Sequence, residues 1–337
     1  MVQDAASEQM SRMIKGYWVS QIVGTLAMLG IPDRLGEGTL AYDVLATDIG
    51  CEPRATYRLL RASAAVGVLT ALPAGHFGLT RLGQKLRSNV AGSMRDVAIA
   101  LTAPAHWLPW GRLIDAIRQG ERQTPSTLGR ELFQYYAENS DESRAFTGAM
   151  SHESGLATEE VARLLDTSST EHVVDVGGAS GTIIAALLGK NPALRGTILE
   201  LAHVVPEARR VVAEHGLSSR CRVMEGDFFK SVPDADLCIL RRIIHDWDDE
   251  QSIRILSNCA RALRKNGKVV LLERVLPEDE CSSQTALADL NMLVLVPGCE
   301  RTAKQFSDLL KAAGLRLDRI TATTSSLHVI EASCDGP

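Results

Sequence analysis

The 337-residue chain lacks a C-x-x-C pair, an excess of basic residues and an apolar run of membrane-spanning length, and each absence excludes something. Its seven cysteines, Cys51, Cys221, Cys238, Cys259, Cys281, Cys299 and Cys334, are odd in number and scattered. That argues against a disulfide framework or zinc site and predicts reduced thiols. A net charge of −5 disfavours a surface built to hold phosphodiester backbones. No uncharged run reaches the ~18–20 apolar residues that cross a bilayer. The opening stretch meets Asp4 and Glu8 before its first basic residue, Arg12, unlike the basic start of a secretory leader. The expected location is therefore cytoplasmic, with neither nucleic acid nor membrane as partner. What remains, 45% hydrophobic and 23% charged, is the composition of an ordinary globular chain whose length suggests two domains.

Along the first hundred residues the spacing predicts helices. Met10, Met13, Ile14, Tyr17, Trp18, Ile22, Leu26 and Leu29 recur at three- and four-residue intervals over 8–31, closed by Gly30 and Pro32. The apolar face is wide, and either its own domain or a second chain covers it. A helix over 39–46, a helix opened by Pro53, and two extended pieces around Pro73-Ala74-Gly75 give helix, turn, helix, hairpin, a winged-helix pattern. Such units often bind DNA, and Arg54, Arg58 and Arg61 lie on the second helix. Yet residues 1–100 hold ten Lys and Arg against eight Asp and Glu, too balanced for an electrostatic footprint. Long helices are expected over 107–118, 130–139 and 141–165. The expected division is 1–100, a helical linker at 101–165, and 166–337.

Beyond 166 the periodicity changes. Branched apolar runs at 173–176, 197–200, 222–224, 237–240 and 269–272 alternate with helical patterns, which predicts an α/β domain with a mostly parallel sheet covered on both faces. The first run leads into Asp175-Val176-Gly177-Gly178-Ala179-Ser180-Gly181, glycines at a strand-to-helix turn where backbone can approach a ligand closely. The dinucleotide fingerprint begun at Gly177 would need glycines where Ala179 and Thr182 stand, so a nicotinamide cofactor is disfavoured. Glu200 ends the second run, placed to accept both hydroxyls of a ribose. After the third, Asp227 could accept from an adenine amino group and Phe228 could stack on the ring. Each signal alone is weak, since a strand-end Glu is often a cap or ion-pair partner. At three successive strand ends they describe an adenosine site without phosphates.

These motifs resemble the S-adenosylmethionine-dependent O-methyltransferases of the plant-type small-molecule class, which include bacterial members of natural-product pathways. The resemblance covers nearly the whole chain and implies a class I methyltransferase sheet with an antiparallel last strand, preceded by a mainly helical, winged-helix dimerisation domain. It implies cofactor contacts from Asp175, Gly177, Gly178, Gly181, Glu200, Leu201, Gly226, Asp227, Phe228 and, with a lysine in many relatives, Arg241. Ala179 departs from the family, which often has glycine there. It also implies S-adenosylmethionine as methyl donor, S-adenosylhomocysteine as product, no metal, and a homodimer.

His245 follows the fourth run, just beyond the carboxyl end of a central strand, where ligands of open α/β sheets bind. The acids around it read as a helix start, with Asp246 as N-cap and Asp248, Asp249 and Glu250 in the first turn. The resemblance makes His245 the general base and sets Glu273 and Glu300 beside it, where a carboxylate on the ring would fix its tautomer. Trp107, Phe133, Met150, Asn291, Met292 and Val296 are candidate pocket walls, although such residues at helical spacing often serve only as core. The implied acceptor is a small hydroxylated aromatic: a polyketide phenol, naphthoate or phenazine. The alternatives are a cofactor-binding tailoring enzyme that does not methylate and a winged-helix regulator.

Overall fold

Asp4 accepts from the Ala6 amide and starts a helix, Ala5–Ile14, that buries none of its residues. The computed structural model describes residues 4–278 and 283–334, with backbone alone for 151–157 and 283; Cys281 lies outside the described residues. The single helix expected over 8–31 is two, because Lys15 takes a cap conformation ahead of Gly16, a poor helix-interior residue. The second, Gly16–Met28, crosses Arg95–Thr102 so closely at Gly24 that a Cβ there would stand 2.0 Å from the Thr102 hydroxyl oxygen. Met10, Met13, Ile14, Tyr17 and Trp18 are left exposed.

The chain divides into two compact units, Met1–Trp107 with Asp141–His152, and Leu108–Ser140 with Glu153–Pro337. Residues 101–165 thus do not form a block of their own. In the first unit, Glu52 caps the helix Pro53–Ala65 by accepting from the Arg54 and Ala55 amides, with Pro53 in the first turn. Strands β1 (Thr39–Ala41), β2 (Leu69–Leu72) and β3 (His76–Leu79) form an antiparallel sheet in the order β1-β3-β2. The helix expected over 39–46 therefore begins only at Tyr42, because Thr39 pairs with Gly78 across the sheet. Leu26, Ile31, Leu45, Leu60, Val68 and Phe77 close the core. The helix expected over 107–118 is broken into Pro104–Trp110 and Leu113–Gln119, with Pro109 inside the first piece.

The second unit is built on β4 (His172–Val176), β5 (Arg195–Glu200), β6 (Cys221–Glu225), β7 (Ala235–Arg241), β8 (Leu263–Glu273), β11 (Leu315–Ala322) and β12 (His328–Cys334). The short β9 (Val275–Leu276) and β10 (Arg301–Thr302) pair with each other. The large sheet runs β11-β12-β8-β7-β4-β5-β6, parallel from β8 to β6 and antiparallel at β12, as expected. Alternate residues of the central strands enter two separate cores. Val173, Ile239, Val270 and Leu272 join one, while Val174, Cys238, Leu240 and Leu271 join the other. Burial on both faces is why these strands read as continuous apolar runs. The order reverses at β4, flanked by β5 and β7, which opens a crevice at the carboxyl ends of the strands. No helix among the described residues is long and apolar enough to cross a membrane.

Candidate active site

The glycine loop begins where β4 ends. Gly177 (φ +68) donates to the Leu199 carbonyl at 2.9 Å, and a Cβ there would lie 2.6 Å from Ile243 Cδ1 and 3.6 Å from the Phe228 ring. Gly181 (φ +75) starts the helix Thr182–Lys190, where a Cβ would meet Ile198 at 2.4 Å. Ala179, where the resembling family often has glycine, also takes a left-handed conformation, φ +47. Its amide donates to Glu200 Oε1 at 3.0 Å, while Glu200 Oε2 accepts from the Leu201 amide at 2.7 Å. Burial raises the Glu200 carboxyl, and these two bonds oppose the rise.

Behind the loop, Asp175 is buried with neither carboxylate oxygen hydrogen-bonded, so close under Gly178 that a Cβ there would stand 2.5 Å from its carboxyl carbon. Burial pushes Asp175 up to about 7, with Arg241 opposing and Glu200 adding. Arg241 turns to the helix start, donating to the Thr182 hydroxyl at 3.0 Å and reaching that of Thr158 at 3.5 Å. Gly226 donates to the Glu200 carbonyl at 2.9 Å, and a Cβ on it would be 2.5 Å from Leu199 Cδ1. Asp227 Oδ1 accepts from the Phe229 amide at 2.9 Å, leaving its other oxygen 3.6 Å from Lys230 Nζ. A loop closed to any added side chain, an unpartnered buried carboxylate beneath it, an acid at the next strand end and an aromatic ring fit an adenosine-bearing ligand.

The second cluster lies beyond β7. A short 3-10 turn, Ile244–Asp246, carries His245, which is 3% exposed. Its Nδ1 is 3.1 Å from Glu300 Oε1, and its Nε2 is 3.4 Å from Asp246 Oδ1. Glu273 Oε1 accepts from the Ile243 and Ile244 amides at 3.0 and 2.8 Å, fixing the turn to the end of β8. Glu300 also receives Arg274 Nη1 at 3.4 Å, and its own amide donates to Asp289 at 2.9 Å. Burial works against a charged ring, but Asp246, Glu273 and the Glu300 hydrogen bond outweigh it against an opposing Arg242, so the imidazole is held above its ordinary 6.5. Burial pushes Glu273 up to about 7, with His245 opposing. Burial would also raise Glu300, yet the bond to His245 and the charges of His245, Arg274 and Arg242 bring it below the usual range. One donor atom from each of His245, Glu273 and Glu300 lies within 4.8 Å of the others, a spacing a cation could bridge, but hydrogen bonds tie His245 to Glu300 and Glu273 to the backbone.

Asp246 is not the N-cap expected of it. Asp248 takes that place, accepting from the Gln251 amide at 2.8 Å, because the buried 3-10 turn holds Asp246 beside the ring. Of the candidate wall residues, Phe133 stacks on Trp247 at 5.7 Å, and Asn291 accepts from Trp110 Nε1 at 2.8 Å. Met292 and Val296 are buried along the same helical stretch. Trp107 and Met150 lie in the first unit, where Met150 packs on Ala100, Ala145 and Ala149. Trp247, third residue of the His245-Asp246-Trp247 motif, lies edge-on to Phe228 and Phe229 at 6.1 and 4.7 Å. Trp110 has no such signal, and Arg301, a possible ion-pair partner of Glu273 by its sequence, pairs with Asp249 instead.

Residues 110–316 match the O-methyltransferase domain family, and residues 11–89 match the O-methyltransferase dimerisation domain. The chain is 36% identical to the phenazine O-methyltransferase PhzM of Lysobacter antibioticus, over 95% of this chain and 94% of that one. Among solved structures, the mitomycin 7-O-methyltransferase MmcR superposes with a TM-score of 0.92 at 32% identity, covering 98% of each chain. NcsB1, an O-methyltransferase from neocarzinostatin biosynthesis in complex with S-adenosylmethionine and 2-hydroxy-5-methyl naphthoic acid, gives 0.82 at 30% identity, covering 94% of this chain and 96% of that one. The chain therefore belongs to the O-methyltransferase family in which this catalytic domain follows a dimerisation domain.

Proposed function

We propose that this O-methyltransferase moves the methyl group of S-adenosylmethionine to a hydroxyl of a small planar aromatic, of the polyketide phenol, naphthoate or phenazine type, with His245 as general base. The observation that carries the reading is the buried bond between His245 Nδ1 and Glu300, since a carboxylate there leaves Nε2 as the proton acceptor. The sulfonium supplies an electrophilic methyl when the donor is bound. Glu200 would hold the ribose hydroxyls, Asp227 and Phe228 the adenine, and the backbone of Gly177, Gly178 and Gly181 the amino-acid end. Leu201 and Gly226 would border that cleft, and Asp175 and Arg241 would stand behind the loop. Nε2 of His245 would take the acceptor's proton, and Glu300 and Glu273 would hold the resulting imidazolium. Attack of an anionic oxygen on a sulfonium neutralises charge, so alignment and exclusion of water contribute most of the rate and no metal is needed. Phe133, Asn291, Met292 and Val296 would wall the acceptor, with Trp107 and Met150 as further candidates. A second copy of the chain would cover the dimerisation domain.

The test is transfer of labelled methyl to a panel of hydroxylated aromatics in excess chelator, with wild type and His245→Ala. Wild type is expected to label a phenol, and the variant to bind donor normally in calorimetry while turnover falls ~10²-fold or more. Label that stays in the donor across the panel would favour an enzyme that binds the donor without methylating.

A further inference from the structure

Among the described residues Arg301 is the bulkiest side chain buried to about 1% exposure, and a guanidinium is buried so deeply only when its donors are engaged. Nη1 donates to the Ile244 carbonyl at 2.9 Å and Nη2 to the Trp247 carbonyl at 2.8 Å. Nε and Nη2 also reach Asp249 Oδ1 at 3.1 and 2.8 Å. The two carbonyls stand on either side of His245 and Asp246, so a rigid fork spans both ends of the turn that carries the ring. Ser252 lies 3.3 and 3.2 Å from the same two oxygens, but its single proton serves one at a time. Gly298, three residues before Arg301, packs on that turn so tightly that a Cβ would be 2.0 Å from the His245 carbonyl oxygen. Between them Glu300 holds the imidazole, and the pairing of Arg301 with Val275 anchors the segment beside the end of β8.

The Asp249 side chain is 74% exposed, so its charge adds little stability, but its Oδ1 engages Nε and Nη2 together and so sets the plane of the fork. We propose that Arg301 is a positioning residue for methyl transfer, clamping the turn so that His245 stays aligned with Glu300 and with the acceptor hydroxyl. This rests on the reading of His245 as base. The ring faces Asp246 on its own turn, Glu273 from β8, Glu300 from the segment before β10 and Arg242 from the end of β7, with Arg274 on Glu300. Slackening the clamp moves the ring relative to all of these.

The experiment compares Arg301→Lys, Asp249→Asn and, as a charge control in the same helical turn, Glu250→Gln, with His245→Ala alongside. For Arg301→Lys, kcat is expected to fall ~10- to 10²-fold, the scale of a small misplacement, with donor affinity within about twofold. The acid limb of kcat/KM should shift to lower pH as the ring loses its carboxylates. Asp249→Asn should show the same pair of changes on a smaller scale, and Glu250→Gln neither. An Arg301→Lys protein with wild-type kcat, or with reduced kcat and an unmoved acid limb, overturns the proposal. Should Arg301→Lys fail to fold, an Asp249→Asn indistinguishable from Glu250→Gln overturns it. Loss of turnover in His245→Ala beside normal Arg301→Lys sinks the positioning role alone, whereas normal turnover in His245→Ala sinks the base and the clamp together.

Discussion

With Nδ1 committed to Glu300, the Nε2 lone pair of His245 would face the Asp246 carboxylate at 3.4 Å, an arrangement that a second proton relieves. The raised basicity of the ring has this geometric origin, and it sets the sign of the pH response. A base must be neutral to act, so kcat/KM should rise with pH through a midpoint above 6.5; a midpoint at or below that value would contradict the environment described. Asp175 gives a second test, read on stability. Its carboxyl moves from an ordinary 3.8 up to about 7 on folding, so stability present at low pH is lost as pH climbs between those values. Asp175→Asn removes that loss: its unfolding free energy should exceed that of wild type at pH 8, with the gap closing toward pH 4. Denaturant melts at the two pH values decide it, and a gap of constant size would mean that the buried carboxyl is not titrating.

Among the elements, the glycine loop carries one local conflict. Ala179 in the left-handed region costs ~1–2 kcal/mol, while glycine would cost ~0.4–1 kcal/mol through the unfolded chain. Ala179→Gly should therefore stabilise by about 0.5 kcal/mol, and thermal melts that show a loss would mean that the Glu200 bond holds Ala179 without strain. The same loop shows what the sequence makes legible. Its glycines, and strands such as β4 and β7, announce themselves because steric closeness and burial on both faces restrict residue type locally. Strand β1 does not, since its partner Gly78 is far along the chain, and a three-residue edge strand has little pattern of its own. The break at Lys15 was hidden by apolar spacing that continues across it. His245, Glu273 and Glu300 were found through the family pattern, because no periodicity brings positions 245 and 300 together. Arg301 is legible only as a charge that could pair with Glu273, whereas the carbonyls and the Asp249 oxygen that satisfy it are supplied by the folded turn alone.

At the scale of the whole molecule, the first unit ends in an apolar stripe. Met13 and Ile14 are about two-thirds exposed on a helix that buries nothing, within the segment that matches a dimerisation domain. Monomers seldom leave such a face to water. Ile14→Glu with Trp18→Glu should convert the proposed dimer to monomers in light scattering; a wild type that is already monomeric would remove the dimer, and a dimeric variant would place the contact elsewhere. The second unit has a different division of labour. The proposed base and cofactor residues sit at strand ends locked by the sheet, whereas Phe133, Trp110 and Asn291 belong to the short helices of 108–140 and the helix Ser283–Leu295. These helices are tied together through Gln123 to Val294 and Thr124 to Leu295. On the proposed reading, substitutions in these helices would change which acceptor fits while the strand-end residues kept the reaction, so specificity could shift without disturbing the chemistry.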